Sequence, residues 1–219
     1  MACKGAALSF FVEPAPRRPG KPATRRRIAE AAAELFASRG YAATSLQSVA
    51  DAAGVHVQTI FMTYGTKLAV LEAATRVAVA GEEDFEGLGR EWPWVRELMA
   101  EPDPERQLRR FAHHVRNLAP RAGPLTAEMR SAARADPGVE AFLAHVLTSG
   151  FRGPVGISDR LADAGALRAG LTRERAAAML QAVAAFETYD VLVHQRGWSA
   201  DEYETWLGDV MCTLVLQAR

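Results

Sequence analysis

Between Val57 and Lys67 the chain reads VQTIFMTYGTK. Gln58 carries an amide that can pair with the two hydrogen-bonding atoms of an adenine edge, and Val57 and Thr59 carry methyls suited to a thymine methyl. Phe61, Met62 and Thr63 complete a face of short, mostly uncharged side chains, while Ile60 and Tyr64 form an apolar edge at i and i+4 spacing. Lys67 is the one charge in residues 54–67 and can reach a phosphate. This is the chemistry of a helix docked by one edge and laid against a nucleic-acid groove by the other. Upstream, Arg25, Arg26 and Arg27 stand in a row, with Arg17, Arg18 and Lys21 before them. They can contact a phosphate backbone or enter a minor groove as an arm; a solubilising charge run is the alternative.

The elements that must position these groups are short helices. From Thr24 the apolar residues Ile28, Ala31, Ala32, Leu35 and Phe36 recur at helical spacing, with Thr24 as an expected cap and Gly40 as the stop. Thr44 and Gln47 read as a capping box for a second helix carrying Leu46, Val49, Ala50 and Ala53 and ending at Gly54. A third begins at His56 or Val57 and ends at Tyr64, and Thr66 caps a fourth. Two short helices joined by a tight glycine turn, here AAGV, are a helix-turn-helix pattern, in which the second helix enters the major groove. The amide groups that open the helices at Thr44/Ser45 and Thr66/Lys67 can bind phosphate oxygens.

The stretch TRRRIAEAAAELFASRGYAATSLQSVADAAGVHVQTIFMTYGTKLAVLEA resembles the DNA-binding domain of the tetracycline-repressor (TetR) family of bacterial transcription regulators. The resemblance covers about residues 24–73 and rests on Leu35-Phe36, Gly40-Tyr41, Thr44, Val49-Ala50, Ala53-Gly54-Val55, Thr59-Ile60, Phe61, Tyr64, and Lys67 followed by Leu68 and Leu71. It implies a homodimer on a near-palindromic double-stranded operator, and a C-terminal helical domain whose small-molecule effector releases the DNA. It also implies a bacterial cytoplasmic, nucleoid-associated protein with no cofactor. The implied DNA-binding set is Arg25, Arg26, Thr44, Ser45, Gln47, Val57, Gln58, Thr59, Phe61, Met62, Thr63 and Lys67. Phe61 stands where the family usually has a tyrosine that reaches phosphate, which shifts backbone contact towards Gln47, Thr59, Lys67 and helix-end amides.

Composition agrees with a helical regulator. The formal net charge is zero, yet residues 1–67 hold nine Lys/Arg against four Asp/Glu, and the remainder is acidic by the same margin. A basic N-terminal part on an acidic remainder suits a polyanion partner. The two cysteines, Cys3 and Cys212, form no CxxC pair or disulfide framework, which fits a reducing compartment. No apolar run is expected to reach the ~18–20 residues of a membrane span. The run AALSFFV, closed by Glu13, is a poor match to a signal peptide. Residues 1–21 read as a disordered basic arm, 22–67 as the helix-turn-helix domain, and 68–219 as a ligand-binding and dimerisation domain.

Further helices are expected over EPDPERQLRRFAHHVRNLA, DPGVEAFLAHVL, LTRERAAAMLQAVAAFETYDVLVHQ (about 23 residues from Thr172) and SADEYETWLGDVMCTLVLQ, the last opened by a Ser199–Glu202 capping box. The fold is therefore expected to be all-α, a three-helix N-terminal domain followed by a helical bundle. Phe111, His114, Met129, Phe142, His145 and Phe186 are candidates for lining an effector pocket; each can equally be core. The last two long helices are expected to pair with a symmetry mate through Leu180, Val183, Val191, Trp206, Val210 and Leu214. TSGFRGPVGIS (148–158) reads as a helix break or loop. The histidines lack metal-ligand spacing. No nucleophile elbow, paired acids or phosphate-cradling glycine loop points to an enzyme. Besides a ligand-released repressor, the sequence allows an activator, a ligand-independent regulator, or a protein-interaction module with a vestigial helix-turn-helix.

Overall fold

The computed structural model describes residues 22–81, 93–147 and 152–217. The proposed arm at 1–21, including Arg17, Arg18 and Lys21, lies outside them. The helices are α1 (Pro22–Arg39), α2 (Leu46–Ala53), α3 (Val57–Tyr64), α4 (Lys67–Ala80), α5 (Pro93–Ala100), α6 (Pro104–Ala132), α7 (Pro137–His145), α8 (Arg152–Asp163), α9 (Arg173–Val183), α10 (Phe186–Tyr189) and α11 (Ala200–Val215), with a π-helical segment at Asp190–Gln195. Among the described residues the only extended pairing is one isolated antiparallel bridge, Leu167 to Leu216. The fold is all-α.

The described residues fall into two compact units. One holds α1–α4, α6 from Val115 onward, and α7; the other holds α5, α6 up to His114, and α8–α11. In the first unit α1 packs along α4 and against α2. Its core comprises Ile28, Phe36, Val49, Ala50, Ile60, Val70 and Leu71, all at 0% exposure, and Leu125 and Met129 of α6 are buried in the same unit. Thr75 Oγ1 meets Met129 Sδ at 3.7 Å. In the second unit Leu108, Ile157, Leu180, Tyr203, Leu207 and Met211 are fully buried.

Local chemistry explains most boundaries. Thr66 caps α4 by accepting from the Ala69 amide at 3.1 Å. Asp136, followed by Pro137, accepts from the Gly138 and Val139 amides. Ser199 and Glu202 form the expected reciprocal box. Three expectations change. The α2 box is Ser45 with Ser48, because Thr44 turns inward and donates to the Gly40 carbonyl at 2.8 Å. α1 starts at Pro22 rather than after a Thr24 cap, since proline at a first helical turn has no amide to lose. Residues 152–158 open α8 instead of breaking the chain; Pro154 sits in the first turn, and a Cβ at Gly153 would lie 3.5 Å from Phe111 Cε2. Residues 148–151 are outside the described set.

α6 runs past the sequence estimate through Pro120 and Pro124, which leave two carbonyls of the helix without their usual amide donors. The expected 23-residue helix from Thr172 is interrupted at Ala184 and Ala185, the latter extended at φ −61°, ψ 140°. No helix breaker stands there. Ala184 and Tyr189 are buried at 1% and 6%, so tertiary packing sets this break. Within Arg173–Gln195 an 18-residue window reaches a mean hydropathy of 1.3. The interruption divides it into shorter pieces, and only 28% of it is buried.

Candidate nucleic-acid interface

α3 has eight residues, too few to be stable alone in water. It is held by position and packing. Gly54, at φ 64°, ψ 42°, closes α2 in the left-handed conformation and sends its amide back to the Ala50 and Asp51 carbonyls. The Val55 amide reaches the Ala50 carbonyl at 3.0 Å, which fixes the turn. Ile60 is fully buried, and the Tyr64 hydroxyl donates to the Arg25 carbonyl at 2.9 Å, tying α3 to α1. The Arg25 guanidinium lies 6.0 Å from the Tyr64 ring centre.

Docking by Ile60, Thr63 and Tyr64 turns Val57, Gln58, Phe61 and Met62 to the outside. Gln58, Phe61 and Met62 are exposed and Val57 and Thr59 half-buried. Thr63, expected to face DNA, does not: it is 3% exposed and its hydroxyl donates to the Thr59 carbonyl at 2.6 Å. Thr44 leaves the contact set for the same reason, at 1% exposure with its hydroxyl between the Leu35 and Gly40 carbonyls. Ser45 and Gln47 remain exposed, Ser45 as the α2 cap and Gln47 donating to Asp51 at 2.7 Å. The α3 cap residue His56 makes no side-chain cap bond.

The basic residues are more engaged than the sequence suggested. Arg26 pairs with Glu30 at 2.8 Å and donates to the Gly81 carbonyl. Lys67 folds back on the α1–α2 turn, with Nζ 3.3 Å from the Ala42 carbonyl and 4.5 Å from the Tyr41 ring centre. Partial burial pulls the Lys67 ammonium below the usual lysine range, against the opposing charge of Asp136. Burial, and then Asp136, push the Tyr41 hydroxyl up.

One contact was invisible to sequence reasoning. Glu128, on the part of α6 in this unit, accepts the Tyr41 amide hydrogen at 2.7 Å across 87 positions. Gly40 has φ 90°, and a Cβ there would stand 3.2 Å from Glu128 Oε1. The carboxylate thus closes over the turn that carries Tyr41 and, through its ring, Lys67.

The effector candidates are divided between the two units. Phe111, His114 and Phe186 belong to the unit of α8–α11, and Met129, Phe142 and His145 to the unit of α1–α4. His114 stacks on Trp94 with ring centres 3.3 Å apart, and Phe111 is buried. Met129 and Phe142 are core side chains, whereas His145 is exposed. Of the expected dimer residues, Leu180 is fully buried within its own chain. Val183, Trp206, Val210 and Leu214 are half-buried and Val191 is 39% exposed.

Residues 28–74 match the family model described as bacterial regulatory proteins, TetR family. No protein of curated function matches the chain. Among solved structures, the chain is similar to a Saccharomonospora viridis protein assigned as a transcriptional regulator and crystallised with choline, at 20% identity and a TM-score of 0.67, covering 90% of this chain and 100% of that one. It is also similar to NalD, the secondary repressor of the MexAB-OprM multidrug efflux pump in Pseudomonas aeruginosa, at 20% identity, TM-score 0.65 and coverage of 90% and 98%. A third, SmeT in complex with triclosan, shares 21% identity at TM-score 0.68, with 89% and 92% covered. At these identities the likeness is one of fold.

Proposed function

The chain belongs to the TetR family of bacterial regulatory proteins, and on that premise we propose that it is a repressor that binds a palindromic operator as a dimer and is released by a small molecule. The observation that carries this reading is the docked α3, whose inner residues Ile60 and Tyr64 leave Val57, Gln58, Phe61 and Met62 as an outward stripe. The DNA-contacting set is that stripe with Thr59, Ser45, Gln47, Lys67, Arg25 and Arg26. Lys67, Arg25 and Arg26 exchange their present partners for phosphates on binding.

The effector part rests on two supports. Two structural neighbours were crystallised with choline and with triclosan, and Phe111, His114 and Trp94 gather aromatic surface in one unit. Glu128 offers the means of release, because a shift of α6 at 115–132 reaches Tyr41 through a single hydrogen bond. The dimer face is Val183, Val191, Trp206, Val210 and Leu214. An open cavity of about 570 Å³ beside Trp198, Thr205 and Trp206 is space that a second copy can fill. The work of such a protein is done at the chromosome, in the cytoplasm.

A gel shift of the full chain on the DNA flanking its own gene tests the reading. Specific retardation that weakens steeply with salt, and is reversed by one member of a compound set including choline and triclosan, supports it. Salt-insensitive binding, or none, overturns it.

A further inference from the structure

The outward stripe of α3 contains no ionised side chain. Phe61 is 46% exposed and Met62 65%, two of the four large hydrophobic residues exposed among the described residues, and here side by side. Adjacent exposed apolar chains mark an interaction surface. In a B-form major groove the one apolar feature is the C5 methyl of thymine; guanine and cytosine edges present donors and acceptors that Phe and Met would desolvate without pairing. Phe61 has no hydroxyl to offer a phosphate. Met62 has a flexible thioether that moulds to an apolar neighbour and accepts hydrogen bonds only weakly.

We propose that Phe61 and Met62 are the specificity-determining residues of the reading face, each seated against a thymine C5 methyl, with Gln58 pairing an adjacent adenine. Gln58 and Met62 are four residues apart, about 6 Å along the helix axis, on the order of two base-pair steps. The preferred half-site is therefore a short A·T-rich block within a site that Lys67 and the helix starts hold by its backbone. The proposal rests on the DNA-binding reading above and names what that face recognises.

The test uses the full chain and a duplex enriched from a random-sequence pool. Each thymine of that duplex is replaced in turn by deoxyuridine, which removes only the C5 methyl. At two positions per half-site the affinity falls about four-fold, equal to about 0.8 kcal/mol for one buried methyl-sized group. Met62→Ala and Phe61→Ala each abolish the thymine–uracil difference at one of those positions, Met62→Leu restores it, and all three variants melt like the parent. A duplex that enriches but binds equally well with uracil throughout overturns the assignment while leaving DNA recognition intact. A pool that yields no enriched duplex sinks the DNA-binding reading itself. A change in sedimentation on Met62→Ala without DNA makes the patch a contact between copies and overturns the assignment too.

Discussion

Among the described residues, α3 and the C-terminal helices both leave apolar side chains on the surface, and their surroundings differ. On α3 the exposed pair Phe61 and Met62 lies in a stretch, residues 54–67, whose one charge is Lys67. On the C-terminal helices Val191 is exposed and Val183, Trp206 and Val210 are half-buried, while residues 186–209 hold six carboxylates and one arginine. A polyanion is repelled by the second rim and tolerated by the first. Similar apolar exposure therefore suits the two partners proposed above, DNA on α3 and a second copy of the chain on α9–α11. The aliphatic and aromatic groups supply contact area in both places, and the neighbouring charges decide what may approach.

The comparison breaks first at the level of stability. Ile60→Ala removes a fully buried side chain that docks α3 and should cost about 2–5 kcal/mol. Met62→Ala, on the other side of the same helix, should stay within about 0.5 kcal/mol of the parent, as exposed substitutions do. Urea denaturation followed by circular dichroism separates the two. Equal losses would mean that Met62 is buried in the working state. Next comes Val191→Glu, which adds a carboxylate to the acidic C-terminal rim. It should leave the monomer folded, dissociate the dimer in sedimentation velocity, and lower operator affinity about 100-fold by removing simultaneous engagement of two half-sites. Val191→Glu that remains dimeric would move the interface elsewhere.

The same two regions differ in how far the sequence disclosed them. In residues 44–81 the signals are local: Gly54 in the left-handed conformation, Thr66 accepting from the Ala69 amide, Ile60 and Tyr64 at i and i+4. The errors there are one-residue slips. Thr44 and Ser45 are adjacent hydroxyl residues, and only packing against the Leu35 and Gly40 carbonyls decides which one turns inward. Thr63 falls at i+3 from Ile60, and so on the buried side, a phase that helical spacing alone could have revealed. Between 172 and 217 the apolar pattern is continuous, and nothing in the local sequence marks Ala184–Ala185 or the π-helical turn at Asp190–Gln195. Those follow from burial of Ala184 and from Tyr189 meeting Tyr203 edge-on at 4.9 Å. Glu128 was unreadable for the same reason, since its partner lies 87 positions away.

Glu128 gives a smaller and sharper test. Glu128→Ala leaves the Tyr41 amide without its acceptor and should destabilise the DNA-binding unit by about 1.5–3 kcal/mol, the range for hydrogen bonds to charged groups. Glu128→Gln keeps an oxygen acceptor and should recover most of that. If the bond also transmits the effector signal, Glu128→Gln should bind operator while losing part of its release by effector. Full release in both variants would confine Glu128 to a structural role.

The smallest effect compares two buried tyrosines, one in each region. The Tyr64 hydroxyl donates to the Arg25 carbonyl at 2.9 Å; the Tyr203 hydroxyl, at 0% exposure, has no hydrogen-bond partner among the described residues. Burial pushes the Tyr203 hydroxyl far above the usual tyrosine range, so it stays neutral and still needs a partner that its surroundings of Tyr189 and Trp206 rings do not give. The same substitution should therefore act with opposite sign. Tyr64→Phe should cost about 0.5–1.5 kcal/mol for the lost bond, while Tyr203→Phe should gain about 1 kcal/mol by removing an unpaired buried group. Parallel denaturation curves of the two variants read both values. A loss in Tyr203→Phe would show that this hydroxyl finds its acceptor only in the dimer or with effector bound; repeating the melt across protein concentration separates the two, because only a partner across the dimer interface makes the deficit grow with concentration.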